Sequence, residues 1–264
     1  MQYKLIAMDM DGTLLNSDRQ ISERTKRALF AARDKGVIIT LATGRMYASA
    51  KPFAEELALE VPLITYNGAL VKNAVTEEVY LHNPVPYEVA LRIVKLAEAG
   101  DFHVNLYLHD KLYVKEINDY TRLYMSISQM PAYPVGVLSQ FFTEAPTKIL
   151  VIGEAADLSE LAKMIKQEVG DEAEVTKSHP NFLEVMSYKS NKGRALAELA
   201  AKWGIAPAEV MAFGDNYNDL PMLKYAGLGV AMGNAPSEVR DLADMVADTN
   251  DREGLAQVIE RLVL

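Results

Sequence analysis

Four short, mainly apolar runs limit what this chain can fold into: Leu5-Ile6-Ala7-Met8, Val37-Ile38-Ile39-Thr40-Leu41, Pro62-Leu63-Ile64-Thr65 and Val210-Met211-Ala212-Phe213. None alternates apolar with polar residues as a strand with one wet face does, so each reads as a strand covered on both sides. Between the first two, Ser22 is a helix N-cap, Ala28, Leu29 and Ala32 recur at helical spacing, and Gly36 suits the helix end. Strand, helix and strand joined by short links predict right-handed parallel crossovers. The fold class is α/β: a doubly wound, mostly parallel, Rossmann-like core sheet, with the run at 62–65 as its third strand.

The rhythm changes between residues 83 and 187. Pro84 and Pro86 mark the entrance, and Val89 to Ala99 has a helical pattern. His103 to Leu108 alternates like a half-buried strand, and Leu112-Tyr113-Val114 answers it as the second arm of a hairpin. Lys148 to Ile152 and Phe182 to Met186 read as strands with a helix between them. After 188 the α/β order returns, with Asn191 capping a helix closed by Gly204, the strand at 210–213, and another near Gly229-Val230-Ala231-Met232. The expected organisation is an α/β core from residues 1–82 and 188–264, split by an α+β domain over 83–187.

Composition narrows the function. With 27 basic and 36 acidic residues the net charge is −9, which excludes a broad basic surface for nucleic acid or anionic lipid. A chain with no cysteine has no disulfide, thiolate zinc site or cysteine nucleophile. His82, His103, His109 and His179 lack helical metal-ligand spacing. The apolar run before Asp9 is too short for a signal-peptide core. The uncharged stretch from Leu123 to Thr143 is interrupted by Pro131 and Pro134. The expectation is a cytoplasmic protein, monomeric or a small homo-oligomer, that binds neither membrane nor nucleic acid.

Four segments carry the chemistry. Asp9-Met10-Asp11-Gly12-Thr13 places two carboxylates beyond the first strand, with Gly12 permitting a tight turn and Thr13 able to bond within it. Ala42-Thr43-Gly44-Arg45 brings a hydroxyl, amides and a guanidinium beyond the second. Ser190-Asn191-Lys192-Gly193 puts a lysine at a helix start, where cations are disfavoured unless an anion faces them, with Lys189 as a competitor. Gly214-Asp215-Asn216-Tyr217-Asn218-Asp219 adds carboxylates beyond the run at 210–213. Each alone has an ordinary reading: an acidic turn, a link with Thr43 as N-cap, a solvated lysine, and a turn with Asp219 capping the next helix. Jointly they lie on what would be one rim of one sheet, where open α/β folds bind ligands.

That set suits Mg²⁺-assisted phosphoryl transfer. A carboxylate approaching a phosphate is repelled by about 4 kcal/mol per charge pair at ~4 Å and an effective dielectric of ~20. A divalent cation and a lysine offset that repulsion. An oxygen-rich, thiol-free donor set suits Mg²⁺.

In this order, Asp9-Met10-Asp11-Gly12-Thr13, Ala42-Thr43-Gly44-Arg45, Asn191-Lys192-Gly193 and Gly214 to Asp219 resemble the motifs of the haloacid dehalogenase (HAD) superfamily. The resemblance is closest to its Cof-type phosphatases with a large inserted C2 (IIB) cap, and it covers essentially the whole chain. It implies that Asp9 is the nucleophile that becomes an aspartyl-phosphate and that Asp11 is the acid and base. It implies Asp9, Asp215 and the Asp11 backbone carbonyl as Mg²⁺ ligands, with Asp219 supporting them. Thr43 and Lys192 would hold phosphoryl oxygens, Asn218 would position the phosphate or the lysine, and Gly44, Arg45 and Asn67 are further binding candidates. The Tyr66-Asn67-Gly68 sequence is also a hairpin signal. The residues at 83–187 would form the cap that reads the leaving group. Glu184 and His109 are candidates to face the cleft, or else an acid on a strand surface and a loop histidine.

The reading is therefore a Mg²⁺-dependent phosphatase for small phosphorylated metabolites such as sugar phosphates, or flavin or pyridoxal phosphates. The alternatives are a phosphotransferase or mutase, and a phospho-signalling or phosphate-binding module without turnover.

Overall fold

The computed structural model describes residues 2–264. Its strands are β1 (Leu5–Met8), β2 (Ile38–Leu41), β3 (Pro62–Thr65), β4 (Leu70–Asn73), β5 (Val79–His82), β6 (His103–Leu108), β7 (Lys111–Val114), β8 (Ala132–Pro134), β9 (Lys148–Ile152), β10 (Ala173–His179), β11 (Phe182–Ser187), β12 (Val210–Gly214), β13 (Leu228–Ala231) and β14 (Met245–Val246). Its α-helices are α1 (Glu23–Asp34), α2 (Tyr47–Glu56), α3 (Tyr87–Ala99), α4 (Asp119–Ser128), α5 (Leu138–Phe141), α6 (Ala155–Val169), α7 (Lys192–Lys202), α8 (Leu220–Tyr225), α9 (Ser237–Arg240) and α10 (Gly254–Leu262). They group into two compact units. One runs to Leu81 and resumes from Asn191 to Leu264; the other is His82–Ser190.

In the first unit the main sheet has the order β14-β13-β12-β1-β2, every pair parallel. β1 is an interior strand, with Met8 beside Phe213 of β12 on one side and Leu41 of β2 on the other. All four of its residues are buried, as an uninterrupted apolar run requires of a strand covered by helices on both faces. α1 begins at Ser22, whose side chain accepts from the Thr25 amide, and ends before Gly36 at φ +87°. α7 begins at Asn191, whose side chain accepts from the Arg194 amide. Leu5, Ala7, Ala195, Leu196, Leu199 and Val210 share one core cluster.

The run at 62–65 departs from the expected third strand of this sheet. β3 belongs to a separate three-stranded sheet, β3-β4-β5, and pairs antiparallel with β4. The link is a four-residue loop over 66–69 in which Tyr66, Asn67 and Gly68 have φ of +49°, +53° and +92°, a left-handed run that Asn67 and Gly68 accommodate readily. The Thr43 amide donates to the Ile64 carbonyl at 2.8 Å, and the Ala42–Ile64 bridge continues the parallel direction. That keeps this hairpin next to the end of β2.

The second unit is built on a six-stranded sheet, β10-β11-β9-β6-β7-β8, antiparallel except for the β7–β8 pair. One face, carrying Val104, Leu106, Ile149, Val151, Leu183 and Val185, packs in a core with Val89 and Ile93 of α3 and Leu158 and Ile165 of α6. β6 is buried at all six positions and not half-buried. Its polar-side residues lie beneath α4, where the Tyr107 hydroxyl donates to Tyr124 at 2.6 Å and the His103 and Tyr120 rings are 5.7 Å apart. Alternation marked the two faces correctly, but it does not report that a helix covers the second. No helix among the described residues is long and apolar enough to cross a membrane.

Because β1 is an interior strand of the main sheet, Leu5→Ala, at a fully buried position, is expected to lower the unfolding free energy by about 3 kcal/mol. A urea titration measures it.

Candidate active site

Parallel strands end on the same edge of a sheet, and this edge gathers the four polar segments. Asp9 follows β1, with its amide held by the Phe213 carbonyl at 3.0 Å. Asp215 and Asp219 follow β12, and Lys192 opens α7. The Lys192 ammonium is fully buried, 2.6 Å from Asp9 Oδ1 and 2.5 Å from Asp219 Oδ1. Asp219 Oδ2 accepts from the amides of Asp215 at 2.9 Å and Asn216 at 3.0 Å. Asp219 therefore folds back on its own turn and joins Lys192, and its side chain does not cap α8. The solvated lysine, the ordinary reading of this segment, is also overturned: Lys192 is buried among the acids, whereas Lys189 is exposed over the Tyr188 ring.

One oxygen from each of Asp9, Asp215 and Asp219 lies within 4.8 Å of the others. Such packing needs close backbone approach. Gly12 sits at φ +79°, and a Cβ there would lie 2.4 Å from Asp215 Oδ2. A Cβ at Gly193 would lie 2.3 Å from the Pro221 carbonyl, so glycine lets the start of α7 carry Lys192 into the acids. The Thr13 hydroxyl donates to Asp215 Oδ1 at 3.0 Å, so it joins two segments instead of closing its own turn.

The second segment is tied to the same edge. Thr43 is buried, and its hydroxyl accepts from the Arg45 amide at 3.1 Å. It is not a helix N-cap; Met46 holds that position. The Asn67 amide donates to the Thr43 carbonyl at 2.9 Å, and Asn218 Nδ2 donates to Asn67 Oδ1 at 2.9 Å. Gly44 lies against Asn67, where a Cβ would be 3.0 Å from its Oδ1. Asp11 stands apart from the three clustered acids. Its side chain is 55% exposed and takes two bonds from Arg45, at 2.7 Å from Nε and 2.5 Å from Nη2. A metal role for the Asp11 side chain does not follow from this position, and Arg45 is occupied by Asp11.

The other two candidates lie in the second unit. Glu184 is neither exposed nor free: it is buried on β11, 2.7 Å from Lys148 Nζ, and accepts from the Ser178 hydroxyl at 2.8 Å. His109 is exposed at the β6–β7 turn, 2.6 Å from Glu144.

Charge balance makes the acidic cluster reactive toward cations. Burial raises the Asp9 carboxyl well above its usual range, and Asp219 and Asp215 add repulsion against the opposing pull of Lys192. Asp215 is pushed up to about 6, by burial first and by Asp219 second, with the Thr13 hydrogen bond acting the other way. For Lys192, burial pulls down, but Asp219 and Asp9 more than reverse it, so the ammonium stays charged. Once all three carboxylates are ionised, they outnumber the single ammonium by two negative charges. An all-oxygen donor set with that surplus fits a hard divalent cation.

A family model for haloacid dehalogenase-like hydrolases matches residues 6–259. A 5-amino-6-(5-phospho-D-ribitylamino)uracil phosphatase of Bacillus subtilis is 33% identical over 266 residues, covering 99% of this chain and 96% of the relative. A pyridoxal phosphate phosphatase of Escherichia coli is 29% identical, covering 98% of both chains. A crystal structure of a haloacid dehalogenase-like hydrolase from Bacteroides thetaiotaomicron superposes with a TM-score of 0.92 at 32% identity, covering 98% of this chain and 99% of that one.

Asp215 also predicts a pH effect. Its folded carboxyl titrates at about 6, against 3.8 ordinarily. The folded state holds the proton longer, so its stabilising contribution is present at low pH and is lost as pH rises toward 6. Asp215→Asn should raise the stability of chelator-treated protein at pH 8 by about 2 kcal/mol, with no gain at pH 3. Thermal melts at the two pH values check this. Together the motifs, the fold and these matches place the chain in the haloacid dehalogenase-like hydrolase family.

Proposed function

We propose that this protein is a Mg²⁺-dependent phosphatase that hydrolyses phosphate monoesters of small metabolites through an aspartyl-phosphate on Asp9. The observation that carries the reading is the buried Asp9–Lys192–Asp219 arrangement beside Asp215, with its two-charge surplus at the carboxyl edge of β1 and β12. Both functionally named relatives act on small phosphate monoesters, which supports the substrate class.

Asp9 and Asp215, with the Asp11 backbone carbonyl, would hold the ion, and Asp219 would support them. When bound, the ion neutralises charge between the attacking carboxylate and the phosphate. Lys192 fixes the Asp9 carboxylate and opposes the rise in its pKa that burial causes. In the first step an Asp9 oxygen forms the bond to phosphorus while the ester oxygen leaves with a proton from Asp11. In the second, water attacks the same phosphorus, gives its proton to Asp11 and releases Asp9 with inorganic phosphate. Asp11 suits that shuttle because it is the exposed carboxylate, and it must exchange its Arg45 partner to take up a proton. The Thr43 hydroxyl and the ammonium of Lys192 would hold phosphoryl oxygens, and Asn218, tied to Asn67, would position the group.

Asp9, Asp11, Thr43, Lys192, Asp215 and Asp219 all belong to the first unit. We therefore assign substrate discrimination, including discrimination among sugar phosphates, to His82–Ser190.

Asp9→Asn should lower turnover of p-nitrophenyl phosphate by at least about a thousandfold. Chelation should silence the wild type and Mg²⁺ restore it. Retained activity in the variant removes Asp9 as nucleophile. Stoichiometric phosphate release without an added alcohol separates hydrolysis from transfer.

A further inference from the structure

Asn234 makes contacts that the chemistry above leaves unused. It lies in the turn after β13, and that turn is firmly mounted. The Ala235 amide donates to the Met232 carbonyl at 3.0 Å and the Gly233 amide to Asp248 at 3.2 Å, while Ala235 and Val239 are buried in the core of the unit. From this mount the exposed Asn234 side chain donates from Nδ2 to the Gly12 carbonyl at 2.8 Å. Its Oδ1 accepts from the Asn250 amide at 3.0 Å, and Asn250 Nδ2 donates to the Leu15 carbonyl at 2.8 Å. Two asparagines thus hold the catalytic turn at both ends.

The Gly12 carbonyl is the informative point of contact. Gly12 has φ +79°, and glycine resists neither half of φ space, so nothing in its own side chain fixes the following peptide. That peptide leads to Thr13, whose amide donates to the Met10 carbonyl at 3.3 Å and whose hydroxyl donates to Asp215 at 3.0 Å. On the other side of Gly12 is Asp11. An external donor on the Gly12 carbonyl selects one orientation of the peptide plane. It therefore acts on Asp11 and on the Thr13–Asp215 bond together.

We propose that Asn234, oriented by Asn250, is a positioning residue that sets the Gly12–Thr13 peptide and thereby the placement of Asp11 and Thr13. Its kinetic consequence rests on the catalytic reading above; its effect on the turn does not. The bond is exposed, so it contributes little to global stability and acts locally.

Asn234→Ala, Asn234→Asp and Asn250→Ala test it in the full chain. Asn234→Asp keeps an acceptor for the Asn250 amide but has no donor for Gly12. Hydrogen exchange without substrate should be faster over residues 9–16 in both Asn234 variants and intermediate in Asn250→Ala, with β6 and β9 exchange and Tm unchanged. Unchanged exchange over 9–16, or faster exchange everywhere with a lower Tm, overturns the proposal. In steady-state assays both Asn234 variants should lose about tenfold in kcat on a simple alkyl phosphate. KM should stay within about twofold, and p-nitrophenyl phosphate, whose leaving group needs little protonation, should lose less. An equal loss on both substrates, or none, also overturns it. Wild-type protein inactive on both phosphates refutes the proposed function instead, and hydrogen exchange then decides the role of Asn234 alone.

Discussion

A lysine ammonium with no exposed surface holds the polar edge of the main sheet together. Taking an ammonium out of water costs several kcal/mol, and only close, well-directed anions offset it. Lys192 has two, Asp9 and Asp219, on opposite sides of the motif order. The second oxygen of Asp219 is satisfied by two amides of its own turn. Moving any one of these three segments would strand a buried charge. The end of β1, the start of α7 and the turn after β12 are therefore fixed relative to one another by electrostatics as much as by packing.

The protein contains a second buried lysine, and the contrast is instructive. Lys148 on β9 faces Glu184 alone, with the Ser178 hydroxyl on the same carboxylate and the Tyr107 ring 5.7 Å from the ammonium. That pair balances one positive charge with one negative. Around Lys192 three acids meet one cation, and the surplus charge is left for something else to balance. Burial alone does not separate a structural ion pair from a reactive one; the charge count does.

Sheet topology explains why so many distant residues meet. In a five-stranded sheet with all pairs parallel, every strand delivers its following loop to one edge. β1, lying between β12 and β2, places Asp9 between their loops, and β13 adds Asn234 from farther along. The β3–β4 hairpin, although outside this sheet, returns Asn67 to the same edge through Thr43 and Asn218. The polar rim is thus assembled from single short turns, each anchored by a buried strand.

Much of this was legible in the residues. Uninterrupted apolar runs marked β1, β2 and β12, because a strand covered on both faces has no reason to alternate. Ser22 and Asn191 marked helix starts because their side chains satisfy free amides. Asp9, Asp215 and Lys192 were conspicuous as charges at strand ends and a helix start. The separate sheet of β3, the covered second face of β6, and the burial of Glu184 were not legible, since each depends on which element packs against which. Asn234 had only a faint signal, a polar residue just past an apolar strand. The sequence by itself determined the element types, the α/β order and the inventory of reactive groups, because local propensity and periodicity are properties of neighbours in the chain. The tertiary structure alone decided that Asp11 pairs with Arg45, that Thr13 reaches Asp215, and that Asn234 holds Gly12. Those are distances between residues up to 222 positions apart, and only the packed fold sets them.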